Sequence, residues 1–274
     1  MRILLSGTRG SLAASGPDTV EYGGDTASIH VTAADRHIVL DAGSGIRRLG
    51  QAVEGQSRVD VLLTHLHMDH IQGLGFFSPM FDPEVEVHIW GPGSAEFKLE
   101  QLLGRYLSPP LFPVHIRELS SVVLHDTNPG TFELGPVTVT ADYVCHPGAT
   151  LGYRLETDGK SMAYLPDHEP ALGVEHFPPD PEWTSGYDLM VNTDVLIHDA
   201  QYTDDEYAER QGWGHSTFDQ ALDIAELCRV GSLVTFHHDP GHDDKMLNTI
   251  AANMKSHPLP FELIPGRAGT IIEV

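Results

Sequence analysis

Short apolar or β-branched runs, bounded by glycine and aspartate, recur along the first two thirds of the chain. The runs at 1–5, 27–32, 37–41 and 59–64 predict strands. Ile46, Leu49 and Val53 then repeat at helical spacing, just after the turn Asp41-Ala42-Gly43-Ser44-Gly45. A strand is predicted at 85–90 and a helix over 94–107, stopped by Ser108-Pro109-Pro110. A β-rich stretch follows at 131–134, 137–144, 151–157 and 161–165, with Gly135-Pro136 and Asp158-Gly159 as turns. Another strand lies within 188–199. Over 216–230, Phe218, Ala221, Leu222, Ala225 and Cys228 form one helical stripe, and Ser216 with Asp219 has the spacing of a capping box. A strand at 233–236, a helix at 243–256 and a strand at 270–274 complete the pattern. No repeat, low-complexity tract or Ser/Gly linker interrupts it, so one domain over 1–274 is expected. Strands in two groups with helices interspersed predict a layered α/β sandwich.

Composition narrows the partners. The chain has 274 residues, 39 Asp+Glu against 16 Lys+Arg, and a formal charge of −23. Such a surface repels polyanions, so sequence-independent binding to DNA or to an anionic membrane is not expected. No apolar run approaches the ~18 residues that span a bilayer. The first residues, Met1-Arg2-Ile3-Leu4-Leu5, are too short for a signal-peptide core. The two cysteines, Cys145 and Cys228, make no disulfide framework. The expectation is a soluble cytoplasmic enzyme, its oligomeric state open and a homodimer included.

Candidate chemistry concentrates in Thr64-His65-Leu66-His67-Met68-Asp69-His70, directly after the strand at 59–64. In an extended chain residues 65, 67 and 69 point to one side, and His70 adds a fourth donor as the chain turns. Imidazole and carboxylate suit Zn²⁺ first, with Mn²⁺ or Fe as alternatives. Four donors within six residues exceed what one tetrahedral ion takes from so short a loop. Two ions roughly 3.5–4 Å apart are therefore expected. The competing explanation, a solvated His-rich loop, does not account for the apolar strand that precedes it.

His-x-His-x-Asp-His in this setting resembles the metallo-β-lactamase fold, a four-layer αββα sandwich of the α/β class. Further motifs match over nearly the whole chain: His146 in Val144-Cys145-His146-Pro147-Gly148, Asp167 in Leu165-Pro166-Asp167, and His237 after Leu233-Val234-Thr235-Phe236. The resemblance implies that His65, His67 and His146 hold one ion, that Asp69, His70 and His237 hold the other, and that Asp167 bridges them. Trp213-Gly214-His215-Ser216-Thr217 is similar to the Gly-His-Ser-Thr motif of the tRNA 3′-processing endonuclease (tRNase Z) branch. Leu196-Ile197-His198-Asp199-Ala200-Gln201 is similar to that branch's His-Glu-Ala-Thr segment, with Asp199 where the family has Glu. There the carboxylate orients the His, and the pair protonates the leaving oxygen. The catalytic set implied is Asp69, His215 and Asp199.

Two features separate this chain from tRNase Z. That branch inserts a long tRNA-gripping arm between the third His and the bridging Asp. Here the interval from His146 to Asp167 holds only two strands and a turn. With the negative charge, this makes tRNA a poor candidate. Ser6-Gly7-Thr8-Arg9-Gly10-Ser11 and Tyr22-Gly23-Gly24-Asp25-Thr26 resemble instead the small-substrate relatives, the phosphoribosyl cyclic phosphate phosphodiesterase and the class II cyclic-nucleotide phosphodiesterases. Two separated cysteines cannot supply the former's Cys-rich zinc site.

The expectation is a dinuclear phosphodiesterase that cleaves a small, for example cyclic, phosphodiester through a metal-bridging hydroxide. A thioesterase or lactonase on the same metals is the alternative, and it does not call for the His215/Asp199 pair. An RNA-processing nuclease or a non-catalytic metal-binding protein ranks lower. Arg9 is read as a loop residue, exposed or reaching a phosphate. His238, Asp239 and His242 are candidates for orienting His237, and Asp243 or Asp244 for capping the last helix.

Overall fold

A computed structural model describes residues 1–170, 172 and 181–274. Among the described residues, fourteen strands form two seven-stranded sheets that pack face to face. The first has the order β14-β1-β2-β3-β4-β5-β6: β1 (Arg2–Gly7), β2 (Ser28–Ala33), β3 (Arg36–Leu40), β4 (Arg58–Leu62), β5 (Glu86–Gly91), β6 (Val122–Asp126) and β14 (Ile271–Glu273). The second has the order β13-β12-β11-β10-β9-β8-β7: β7 (Gly130–Leu134), β8 (Val137–Tyr143), β9 (Leu151–Thr157), β10 (Lys160–Leu165), β11 (Val195–Asp199), β12 (Ser232–Phe236) and β13 (Glu262–Pro265).

Alternation along the strands explains the layers. Ile3 and Leu5 of β1, Ile29 and Val31 of β2, and Val137, Val139 and Ala141 of β8 point into one shared core between the sheets. Their neighbours face outward, where helices cover them. Val39, Val59, Val61 and Ile89 pack under α1 (Leu49–Ala52), α2 (Met68–Ile71) and α3 (Leu99–Tyr106). Ala163, Leu196 and Leu233 pack under α4 (Tyr187–Met190), α6 (Phe218–Leu227) and α7 (Asp244–Met254). A short α5 (Asp204–Tyr207) precedes α6. The fold is the four-layer αββα sandwich.

Parallel pairing fixes where the loops emerge. β10, β11 and β12 run parallel, with Leu165 beside His198 and His198 beside Thr235. Asp199, the last residue of β11, and Asp167 and His237, just beyond β10 and β12, therefore lie at one end of the sheet. Across the core Tyr153 donates its hydroxyl to Leu63 O at 2.8 Å and Tyr164 donates to Asp41 Oδ2 at 3.0 Å. These bonds stitch the ends of β3 and β4 in one sheet to the other sheet.

Some boundaries differ from the sequence expectation. The helix expected over 94–107 begins only at Leu99, because Phe97 N donates to Ser94 Oγ and holds residues 94–97 as a turn. The capping box of α6 sits one residue later, on Thr217 and Gln220. Ser216 Oγ instead donates to His168 O at 2.6 Å. Asp243 caps α7 as expected, accepting from Met246 N at 2.7 Å. β6 and β13 are additions.

Candidate metal centre and the adjoining His215/Asp199 pair

Every predicted ligand residue comes from the C-terminal end of a strand or the loop just beyond it. The segment His65–His70 leaves β4, with His67 extended as the N-cap of α2. His146 follows β8, Asp167 follows β10, and His237 follows β12 with φ at +62°. Gly10 crosses the His237 ring so closely that a Cβ there would overlap it.

The donor atoms converge in two groups. His65, His67, His146 and Asp167 form one, and Asp69, His70, Asp167 and His237 the other, each with its donors within 4.8 Å of one another. In the second group His70 Nε2 lies 3.2 Å from Asp69 Oδ2, 3.0 Å from Asp167 Oδ1 and 3.2 Å from His237 Nε2. His237 Nε2 lies 3.2 Å from both carboxylates. In the first, His67 Nδ1 and His146 Nε2 are 3.3 Å apart, and Asp167 Oδ2 is 3.7 Å from both His65 and His146. A tetrahedral Zn²⁺ at ~2.0–2.1 Å would space its ligands roughly 3.3 Å apart. Asp167 offers one oxygen to each group.

A test of fit comes from buried atoms that lack hydrogen bonds. His65 Nε2 and Asp167 Oδ1 are buried and have no hydrogen-bond partner. Burying such atoms unpaired costs free energy, and a cation would satisfy both. Charge points the same way. Burial disfavours the carboxylate of Asp167, yet His237, His70 and His65 hold its pKa well below the usual range. Burial likewise opposes the charged form of His70, but Asp167, Asp69 and Asp41 raise its pKa well above 6.5. Positive charge is thus favoured between these carboxylates. The residues suit divalent cations.

The far sides of the rings are committed. His70 Nδ1 donates to Asp41 Oδ2 at 2.8 Å, His237 Nδ1 to Gln201 Oε1 at 2.8 Å, and His146 Nδ1 to Gly214 O at 2.8 Å. His65 Nδ1 meets Thr64 Oγ1 at 3.1 Å, and that hydroxyl donates on to Asp41. Such bonds select the ring tautomer and aim the opposite nitrogen. Glu169 acts one step further back. Its buried carboxylate accepts from Gly214 N at 2.7 Å, Gly212 N at 2.8 Å and Tyr207 Oη at 2.8 Å, which fixes the carbonyl that holds His146.

The His215/Asp199 pair lies against this cluster. The His215 ring stands 5.2 Å from that of His146 and 5.0 Å from that of His237, centroid to centroid, and Asp199, His215 and His237 form a further group of convergent donor atoms. His215 Nδ1 donates to Asp199 Oδ2 at 2.7 Å, while Asp199 also accepts from the backbone of His168, Gln201 and Ser216. Burial alone would lower the His215 pKa, but Asp199 outweighs it and raises the value to about 9. Asp199 thus favours the charged form of the ring.

All nine residues predicted from sequence meet here. Asp41, Gln201 and Glu169 were not foreseen; the only signal was the Asp41-Ala42-Gly43 turn behind an apolar strand. Arg9 corrects an expectation: it is fully buried and donates to the backbone carbonyls of Gly23, Asp239 and His242, so it faces no substrate. His238 and His242 bond to Gly266 O and Glu206, not to His237. Orienting His237 falls to Gln201, which Asp239 contacts at 3.5 Å.

A family model described as the Beta-lactamase superfamily domain matches residues 36–238. A ribonuclease Z of Haloarcula marismortui is 24% identical over 283 residues, covering 86% of each chain. Among solved structures, the metallo-beta-lactamase fold protein YhfI of Bacillus subtilis superposes with a TM-score of 0.72 at 19% identity, covering 99% of both chains. A diphosphatase from the PhnP family superposes with a TM-score of 0.71 at 19% identity, covering 99% of this chain and 97% of the other.

Proposed function

We infer that this chain, which belongs to the beta-lactamase superfamily and is a metal-dependent hydrolase, is a dinuclear phosphodiesterase acting on a small phosphodiester. His65, His67 and His146 would hold one cation, Asp69, His70 and His237 the other, with Asp167 between them, and Zn²⁺ suits the donor set best. Two such cations supply Lewis acidity, offsetting charge on the phosphoryl oxygens and lowering the pKa of water towards ~7.

The observation that carries the reading is the His215/Asp199 pair beside the cluster. An alkoxide leaving phosphorus needs a proton, and His215 Nε2 is the donor placed to give it. Asp199 keeps that imidazolium charged and aimed. Hydrolysis of a thioester expels a thiolate that leaves without help, so a thioesterase gives the pair no task, whereas a lactone opens to an alkoxide and is separated from the diester by the assay below.

A second reading, RNA 3′-end processing, is favoured by the curated relative named ribonuclease Z. Against it, β9 and β10 are joined by the Asp158-Gly159 turn alone, with no arm to grip tRNA, and the chain carries a charge of −23.

Bound metals should be measured first, by elemental analysis of protein purified without chelator. The same protein is then assayed on bis-nitrophenyl phosphate and cyclic nucleotides beside thioesters, lactones and a tRNA precursor. Turnover of the phosphodiesters is expected. Thioester or lactone turnover alone would reject the reading, and cleavage confined to the precursor would select the second one.

A further inference from the structure

Beside the His65–His67 edge of the cluster lies a cavity of about 230 Å³, with Leu66, Pro92, Leu102, Pro147 and Ala149 as apolar walls. Gly93, Ser94 and Ala149 also border a second cavity of about 490 Å³, which runs outward to Lys98, Asn128 and Tyr143. The two form one path leading away from the metal ligands. None of His215, Asp199 or Tyr202 lines either part.

That asymmetry assigns the cavity to one side of the scissile bond. In hydrolysis a water oxygen bonds to phosphorus and the P–O bond to the leaving group breaks with its electron pair. The departing oxygen takes the His215 proton, and the proton shed by the water restores the imidazolium. The leaving oxygen must therefore face His215. A group in the Leu66–Leu102 cavity lies on the other side and stays on phosphorus in the product.

The lining also says what that group is. Among the described residues the inner cavity carries no charged side chain apart from the ligand imidazoles, so a second phosphate would be desolvated there without a partner. In the outer cavity Lys98 is matched by Glu96 and Asp126, leaving no net attraction for an anion. Tyr143 presents its ring at 49% exposure, and Asn128 adds an amide. An aromatic face with an amide donor and acceptor suits a flat, neutral, hydrogen-bonding ring. Resting on the phosphodiesterase reading above, we propose that this path binds the retained substituent of the diester and that the substituent is a nucleoside. The sugar would fill the inner cavity and the base would lie on Tyr143, so that the product is a nucleoside monophosphate.

Two esters with the same leaving group test this on the metal-loaded protein: the 4-nitrophenyl ester of thymidine 5′-phosphate and methyl 4-nitrophenyl phosphate. The native protein should favour the thymidine ester by about tenfold or more in kcat/KM. Ala149→Trp, at the junction of the cavities, and Tyr143→Ala, at the outer end, should each bring that ratio towards one; both positions are exposed, so the fold should tolerate either change. A native ratio near one, or a ratio unchanged in both variants, overturns the proposal. Failure of the metal-loaded protein to turn over either ester removes the phosphodiesterase reading itself, and the proposal with it.

Discussion

At the scale of single residues, the hydrogen bond between His215 and Asp199 makes the sharpest prediction. His215→Ala should slow esters of poorly acidic alcohols by about 10²–10⁴-fold, while nitrophenyl esters, whose leaving group departs as an anion, lose far less. Equal losses on both would end the general-acid role. Asp199 raises the His215 pKa, so Asp199→Asn should lower it. The alkaline limb of kcat against pH should then move to lower pH, and an unmoved limb would show that Asp199 does not tune the acid. A second residue carries stability. His30 is buried on β2 with Nε2 3.0 Å from His37 Nδ1, and burial, then the nearby His37 and Arg2, lowers its pKa from 6.5 to about 4. Its folded value lies below its unfolded one, so the folded state binds fewer protons. Stability is complete above pH 6.5, and about 3 kcal/mol is lost as pH falls towards 4. In His30→Gln, chemical denaturation followed from pH 7 to 4 should show a shallower loss than in the native protein; parallel curves would refute the assignment.

At the scale of elements, the Gly212–His215 segment depends on Glu169. Its carboxylate takes two backbone N–H groups and a hydroxyl, and Gly214 in turn receives the His146 proton. Gln in its place would turn an N–H towards one of those donors. Glu169→Gln should therefore weaken metal binding by about 10–100-fold in competition titrations with a chelator. Gly214 has φ at +91°, and a Cβ there would overlap His146 Nδ1, so Gly214→Ala should give the same phenotype by a different cause. Unchanged metal affinity in both would mean that the loop does not position His146. This dependence also shows what a sequence can reveal. The candidate ligands were legible because each lies at or just beyond the end of an apolar strand, a local pattern. Asp41, Gln201 and Glu169 were not, because each acts through a contact that exists only once distant loops meet: Asp41 with Tyr164 across the two sheets, Glu169 with Gly214. β6 and β13 escaped for another reason. β6 is an edge strand without clean alternation, and β13 ends in Pro265, a residue that ordinarily argues against a strand.

At the scale of the whole molecule, the charge of −23 and the metal centre act over different ranges. Cations at the Asp69/Asp167 site would attract a single phosphodiester at contact distance. The acidic surface repels any chain of phosphates that extends beyond it. Salt screens the second effect before the first, since the Debye length is about 8 Å at 0.15 M ionic strength. Proteins built to bind polyanions lose affinity steeply as salt rises, because counterions are released on binding. For this chain the sign should be opposite. Raising salt from about 0.02 to 0.2 M should increase kcat/KM on an oligonucleotide relative to that on a mononucleotide diester, because it relieves repulsion felt mainly by the longer substrate. The comparison needs both substrates under the same metal loading, so that ionic effects on metal occupancy cancel in the ratio. A ratio that falls with salt would mean that a basic track on this surface guides nucleic acid to the site, and the RNA-processing reading would then take precedence over the small diester.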